Sequence, residues 1–93
     1  MLVDYLLIGY GRDGEIKSVE HESDSMLFSE LTFTPGNEDI TQYHERVFVV
    51  KVIHHLGTRY AVAIARDVSA AEINELIETS NMNPIPQEVI GEI

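Results

Sequence analysis

The stretch VFVVKVIHHLGTRYAVAI, residues 47–64, is the most regular part of the sequence and decides the fold class. Its polarity alternates with a period of two, as side chains do along a β-strand, and Val, Ile and Tyr favour strands. The central HLGT contains Gly57, which accepts the positive φ that a tight hairpin turn needs. We therefore predict a β-hairpin with a long strand over residues 42–54 and a return strand beginning at Arg59.

The two faces of this hairpin differ in composition. In the long strand, the even-numbered face has the uninterrupted apolar run Phe48, Val50 and Val52, whereas the odd-numbered face has Lys51 at its centre. We predict that the even face is buried and that the odd face contacts water. One face of the return strand carries only alanine, which leaves room for close approach by a helix or another backbone: Ala61, Ala63 and Ala65.

The first third of the chain predicts further strands. Residues 2–10 are apolar except for Asp4, a glycine-rich turn follows, and residues 15–22 alternate again. This pattern is typical of a second hairpin. Residues 27–34 are rich in Phe and Thr and are predicted as a strand, although a short helix from Ser23 would also group their apolar side chains.

The clearest single element is a helix that begins after Ser69. Ser69 is an N-cap residue, and Glu72 three positions later completes a capping box. One apolar stripe recurs at helical spacing, formed by Ala70, Ile73, Leu76 and Ile77. Strands followed by one late helix predict an α+β fold, with an antiparallel sheet of about four to five strands and one helix in the C-terminal half packed on one face.

At 93 residues the chain is long enough for one small domain. We place a single α+β domain at residues 1–80 and a C-terminal tail containing proline at residues 81–93. The tail carries four apolar residues that we predict to mediate interaction: Ile85, Val89, Ile90 and Ile93. Such a segment either packs on its own domain or docks on another chain as an added strand.

The chain is strongly acidic, with sixteen Asp and Glu against six Lys and Arg, a formal net charge of −10. Negative charge repels phosphate backbones and anionic lipids, so we expect neither direct nucleic-acid binding nor membrane binding, and it favours basic protein partners.

The absence of cysteine excludes disulfides, thiolate metal ligands and cysteine nucleophiles. No run approaches the ~20 apolar residues of a membrane span, so we expect a cytoplasmic protein.

The histidines are the candidate metal ligands. His21, His54 and His55 are considered for a metal site, and His44 lies too far from His54 along one strand to share an ion with it. Neither His-Glu pair continues into the HExxH spacing of a zinc helix. No G-x-S-x-G elbow marks a nucleophilic serine, so we expect no cofactor and no enzymatic site.

These features predict a small, acidic, non-enzymatic interaction or regulatory module, of the kind found as accessory proteins in bacteria and phages. Its expected partner is a basic protein or a second copy of itself in a homodimer. One alternative is a small metal- or ligand-binding protein that uses His54 or His55. Another is a nucleic-acid mimic, whose carboxylates would occupy the site of a DNA-binding protein.

Overall fold

The structure is a computed structural model of the chain, and it describes residues 1–33 and 46–90. Five strands and one helix follow one another in this part of the chain. They are β1 (Leu2–Ile8), β2 (Ile16–Glu20), β3 (Glu30–Phe33), β4 (Arg46–His55), β5 (Thr58–Ile64) and α1 (Ala70–Ser80). The strands form one sheet in the order β2-β1-β5-β4-β3, so the predicted α+β class and strand number are confirmed.

The sheet is mixed, and the prediction of an antiparallel sheet is wrong at one pair. β1 runs parallel to β5, with Tyr5 opposite Ala61 and Ile8 opposite Ile64, while the other three neighbouring pairs are antiparallel. The polarity pattern could not reveal this, because side chains alternate with the same period in parallel and antiparallel strands. Strand direction is set by which elements meet, and β1 meets a strand more than fifty residues later.

The core lies on both faces of the sheet. The helix-side core consists of Leu6, Ile8, Val62, Ile73, Ile77 and Met82. The tail-side core consists of Val3, Tyr5, Leu7, Leu27, Leu31, Phe48, Val50, Ala61, Ala63, Ile85 and Val89. β1 contributes buried residues to both cores, which explains why its sequence reads as an almost continuous apolar run.

Helix α1 forms as its sequence predicts. The backbone amide of Glu72 donates to the hydroxyl of Ser69 at 3.1 Å, and Ser69 has the extended backbone of an N-cap. Asn81 ends the helix in the left-handed conformation that Asn tolerates. Ile73 and Ile77 are buried against the sheet. The helix therefore packs on the face that carries Val62, not on the alanine face of β5.

The alanine face of β5 is covered by residues that follow the helix. Ile85 and Val89 pack with Ala61 and Ala63 in the tail-side core. Backbone hydrogen bonds fix this segment: the Ile85 amide donates to the Arg59 carbonyl at 2.9 Å, and the Ile90 amide donates to the Ser25 carbonyl at 2.7 Å. The Leu27 amide donates to the Ile90 carbonyl at 3.1 Å, so that Met26 and Ile90 form a short parallel bridge. The small alanine side chains thus admit another segment of the same chain.

The strand bounds differ from the prediction most clearly at β3. The predicted strand over 27–34 is shorter, Glu30–Phe33, and no helix starts at Ser23. Residues 42–45 of the predicted long strand lie outside the described residues. The predicted faces of β4 are confirmed, because Phe48 and Val50 are buried whereas Val47 and Val49 are exposed.

The β4–β5 turn contains a residue that is conformationally strained. Leu56 has φ 51° and is 87% exposed, and Gly57 follows with φ 76°. Asn adopts this left-handed conformation more readily than Leu, and Asn-Gly is the preferred pair for such turns. We expect Leu56→Asn to raise the free energy of unfolding by about 1 kcal/mol, measured by urea denaturation. Leu56→Ala keeps the strain, so equal stability of the Asn and Ala variants would contradict this explanation.

Candidate functional site

The most distinctive surface lies on the helix side of the sheet, where α1 leaves part of the sheet uncovered. A helix is about 10 Å wide, whereas the outer strands of a five-stranded sheet lie about 19 Å apart. Helix α1 packs on β1 and β5, and the odd-numbered side chains in the first half of β4 remain outside its reach. We call this surface the open face and define it by Val47, Val49, Lys51 and Ile64.

The open face is apolar at its centre. Val47 and Val49 are 36% and 47% exposed, and Val49 lies directly opposite the half-buried Ile64 in the β4–β5 register. Ala65, Arg66 and Asp67 complete a cleft of 480 Å³ along one side. Val and Ile on a formed sheet present a stiff surface, because β-branched side chains have little rotamer freedom to lose on binding.

A network of charged groups holds the rim of the open face. Arg66 donates to Asp13 from Nε at 3.2 Å and from a terminal nitrogen at 2.5 Å, and it also contacts the carboxylate of Glu72. Hydrogen bonds from Arg66 and from the Gly9 amide lower the pKa of Asp13. The network joins the β1–β2 turn, the end of β5 and the first turn of α1, so this rim is fixed before a partner arrives.

Lys51 is the one basic side chain at the centre of the open face. No carboxylate within residues 1–33 and 46–90 lies at ion-pair distance from its ammonium group. It lies opposite Val62 in the register, on the same face as Val49. A partner that covers the valines would therefore also meet one positive charge.

A second cluster, formed by aromatic rings around Tyr5 of the tail-side core, combines ring contacts with hydrogen bonds. The Tyr5 ring stacks with His21 and with Phe28, and the His21 and Phe28 rings are tilted against each other with 4.6 Å between their centroids. The Phe28 amide donates to Tyr5 Oη at 3.4 Å, and Tyr5 Oη is 2.7 Å from His21 Nε2. The Ser25 hydroxyl donates to the Glu22 carbonyl at 2.7 Å, so towards His21 Nδ1, 3.4 Å away, it can only accept. This favours the neutral His21 tautomer with its proton on Nδ1 and leaves Nε2 to accept from Tyr5 Oη.

Burial moves both titrating groups of this cluster toward their neutral forms. It lowers the pKa of His21 below its ordinary 6.5 and raises the pKa of Tyr5 above its ordinary 10.0. In the unfolded chain, His21 binds a proton at higher pH than in the folded chain. Stability from this group is therefore lost as the pH falls below about 6.5, and stability from Tyr5 is lost as the pH rises above about 10.

The loss of stability at acid pH that we assign to His21 is testable with one substitution. We expect the wild-type chain to lose more of its free energy of unfolding between about pH 7 and about pH 5 than His21→Gln, whose amide accepts from Tyr5 without titrating. Urea denaturation at the two pH values measures the difference. Equal losses in the two proteins would show that His21 does not carry the effect.

The structure separates the histidines that the sequence offered as metal ligands. His21 is buried beside Tyr5, His54 is exposed at the end of β4, and His55 Nε2 is 3.0 Å from a carboxylate oxygen of Glu78 on α1. His44 lies outside the described residues. Within residues 1–33 and 46–90, no three His, Asp or Glu side chains converge as metal ligands would.

Of the four residues that the sequence offered for interaction, two lie in the core. Ile85 and Val89 are buried within their own chain, and side chains in this position are not available to a partner. Of the predicted set, Ile90 is exposed and Ile93 lies outside the described residues. At Ile85 and Val89, therefore, the apolar segment packs on its own domain, which is the first of the two arrangements that the sequence left open.

Sequence reasoning did not single out the open face as a binding surface. The signal was present in Val47 and Val49, two large apolar residues on the face predicted to contact water. An exposed strand face normally carries polar residues at such positions.

No helix in the described part of the chain is long and apolar enough to cross a bilayer. The chain matches no family model, no curated protein and no solved structure.

Proposed function

We propose that this protein is a non-enzymatic interaction module that binds a basic protein partner through the open face. The observation that supports this proposal is the exposure of Val47 and Val49 beside Ile64 on a fully formed sheet. A rigid apolar centre bordered by polar groups is the usual anatomy of a protein-binding surface. The net charge of −10 selects for a partner of opposite charge.

The open face is the size of an interface centre rather than of a whole interface. Full burial of a valine side chain stabilises by about 1.5–3 kcal/mol, so covering two half-exposed valines contributes about 2 kcal/mol. A specific complex buries about 800 Å² on each partner, so the contact must extend over the rim around Arg66. The long-range attraction between an acidic chain and a basic partner mainly raises the association rate and weakens with salt.

Lys51 adds a further requirement for the partner. Covering the open face removes its ammonium group from water, and a buried unpaired charge is costly. We expect the partner to place a carboxylate opposite Lys51 even though its overall charge is positive. This combination distinguishes a docked partner from any basic protein that collects around an acidic surface.

The test compares two substitutions of the same kind at different places. Partners captured from a cell lysate are purified, and their dissociation constants are measured by calorimetry with wild type, Val49→Asn and Leu56→Asn. We expect Val49→Asn to weaken binding about tenfold, because it removes apolar contact from the centre of the interface. Leu56→Asn changes an exposed leucine outside the open face and is expected to leave the affinity unchanged.

Two results would contradict the proposal. The first is a partner that binds Val49→Asn as tightly as the wild-type chain, which would place its contact elsewhere. The second is an affinity for a purified partner that does not fall between low and physiological salt, which would remove the role assigned to the acidic charge.

A further inference from the structure

A separate cleft lies where the β4–β5 hairpin meets the segment after α1. Its volume is 280 Å³, and we call it the Arg59 cleft. It is lined by Gly57, Thr58, Arg59, Pro84, Ile85 and Gln87. The Ile85 amide donates to the Arg59 carbonyl at 2.9 Å, and the Ile85 side chain is buried in the tail-side core. The two walls are therefore joined, and the cleft is formed without a ligand.

Arg59 differs from the other arginines in having no partner among the described residues, although the chain has sixteen acidic residues. The side chains of the other three each have at least one: Glu15 for Arg12, the Tyr10 ring for Arg46, and Asp13 with Glu72 for Arg66. Arg59 as a whole residue is half-buried and lines the cleft. A guanidinium that lines a cleft without a carboxylate partner is a ready anion-binding group.

The β4–β5 register places His54 beside Arg59, although His54 is not one of the residues that line the cleft. His54 lies directly opposite Arg59, and opposed residues of an antiparallel pair project from the same face with Cβ atoms about 4.5–5.5 Å apart. His54 is exposed, and no described residue forms a hydrogen bond or ion pair with its ring. The Gln87 amide on the opposite wall of the cleft adds a neutral donor.

From this arrangement we propose that the Arg59 cleft binds the phosphate group of a small phosphomonoester. The planar fork of Arg59 matches two phosphate oxygens, and the third is left to Gln87, which lines the same cleft, and to His54 beside Arg59. A carboxylate has two oxygens and would leave these further donors without a partner. A volume of 280 Å³ is at the lower end for ligand sites, which restricts the ester to a few carbon atoms.

The Arg59 cleft is independent of the open face. Arg59 shares its face of β5 with Ala61 and Ala63, which lie in the tail-side core, whereas Val49 lies on the helix side. We therefore expect the two kinds of binding to be lost independently. Val49→Asn is expected to leave phosphate binding intact, and substitutions at Arg59 are expected to leave partner binding intact.

The test is an NMR titration of the isotope-labelled full chain with inorganic phosphate, glycerol 3-phosphate and acetate. We expect both phosphates to shift the amide signals of residues 57–59, Ile85 and Gln87, with dissociation constants of about 1 mM, and acetate to bind at least tenfold more weakly. Arg59→Gln is expected to weaken phosphate binding at least tenfold. Arg46→Gln makes the same change in charge outside the cleft and is expected to alter it less than twofold.

Several outcomes would overturn the proposal. If phosphate shifts no signal of the cleft, or shifts signals over the whole surface, there is no specific phosphate site in the Arg59 cleft. Equal weakening by Arg59→Gln and Arg46→Gln would reduce the effect to net charge, and acetate binding as tight as phosphate would refute the assignment of the ligand. The unbound spectrum of each variant reports its fold, and Arg59→Lys, which keeps the charge without the fork, is expected to lie between wild type and Arg59→Gln.

Discussion

A chain that ends at Ser80 is expected to be unfolded at room temperature. The truncation removes Met82 from the helix-side core and Ile85 and Val89 from the tail-side core. Burial of each such side chain stabilises by about 1.5–3 kcal/mol, so the combined loss is comparable with the about 5–15 kcal/mol by which domains are stable. It also exposes Ala61 and Ala63 and removes the hydrogen bond from the Ile85 amide to β5.

Circular dichroism and thermal melting of the truncated chain measure this loss, and a chain ending at Ile90 is the matched control. The control keeps the three buried side chains and the Met26–Ile90 bridge, so it is expected to melt cooperatively near the temperature of the full chain. A cooperative transition of the Ser80 truncation within a few degrees of the full chain would show that residues 81–93 are a dispensable tail, as the sequence-based division at residue 80 supposes.

Gly9→Ala is expected to be the most damaging conservative substitution in the first strand pair. Gly9 has φ 122°, which side chains rarely allow, and an added Cβ would lie 2.8 Å from Ala65 Cβ and 3.3 Å from Ala65 Cα. The neighbouring hydrogen bond from the Ala65 amide to the Ile8 carbonyl, 2.8 Å, holds the two backbones together, so neither can retreat. Backbone strain and overpacking of about 1–3 kcal/mol each predict a total loss of about 3 kcal/mol.

Gly11→Ala separates the two causes. Gly11 has φ 74°, but no atom lies within 4 Å of the position of an added Cβ. This variant is expected to lose only about 1 kcal/mol, the cost of a left-handed backbone for alanine. Urea denaturation of both variants gives the comparison. Equal losses would mean that the approach of Ala65 contributes nothing.

The elements that sequence analysis located correctly depend on contacts between near neighbours in the chain. Alternation and the Leu56-Gly57 turn define the β4–β5 hairpin, and Ser69 with Glu72 defines the start of α1. The buried face of β4 was also predictable, because Lys51 could not be placed in a core without a partner. In each case the deciding atoms lie within a few residues of one another.

The candidate sites depended on contacts that local patterns do not contain. The open face exists because one helix of eleven residues covers only part of a five-stranded sheet, and no residue in β4 records where that helix lies. The Arg59 cleft exists because the segment after α1 crosses the end of the hairpin. Both surfaces are made by elements that are distant in the chain.

By itself, therefore, the sequence determined the identity of the strands and the helix, the hairpins, the acidic surface and which side of β4 is buried, since these follow from short-range periodicity, capping and composition. Only the tertiary structure decided that β1 runs parallel to β5, that Ile85 and Val89 belong to the core, that Val47 and Val49 are exposed on the helix side, and that Arg59 lines a cleft. The physical reason is that polarity patterns record how much of a side chain is buried, whereas direction, partner and coverage depend on which distant segments come together.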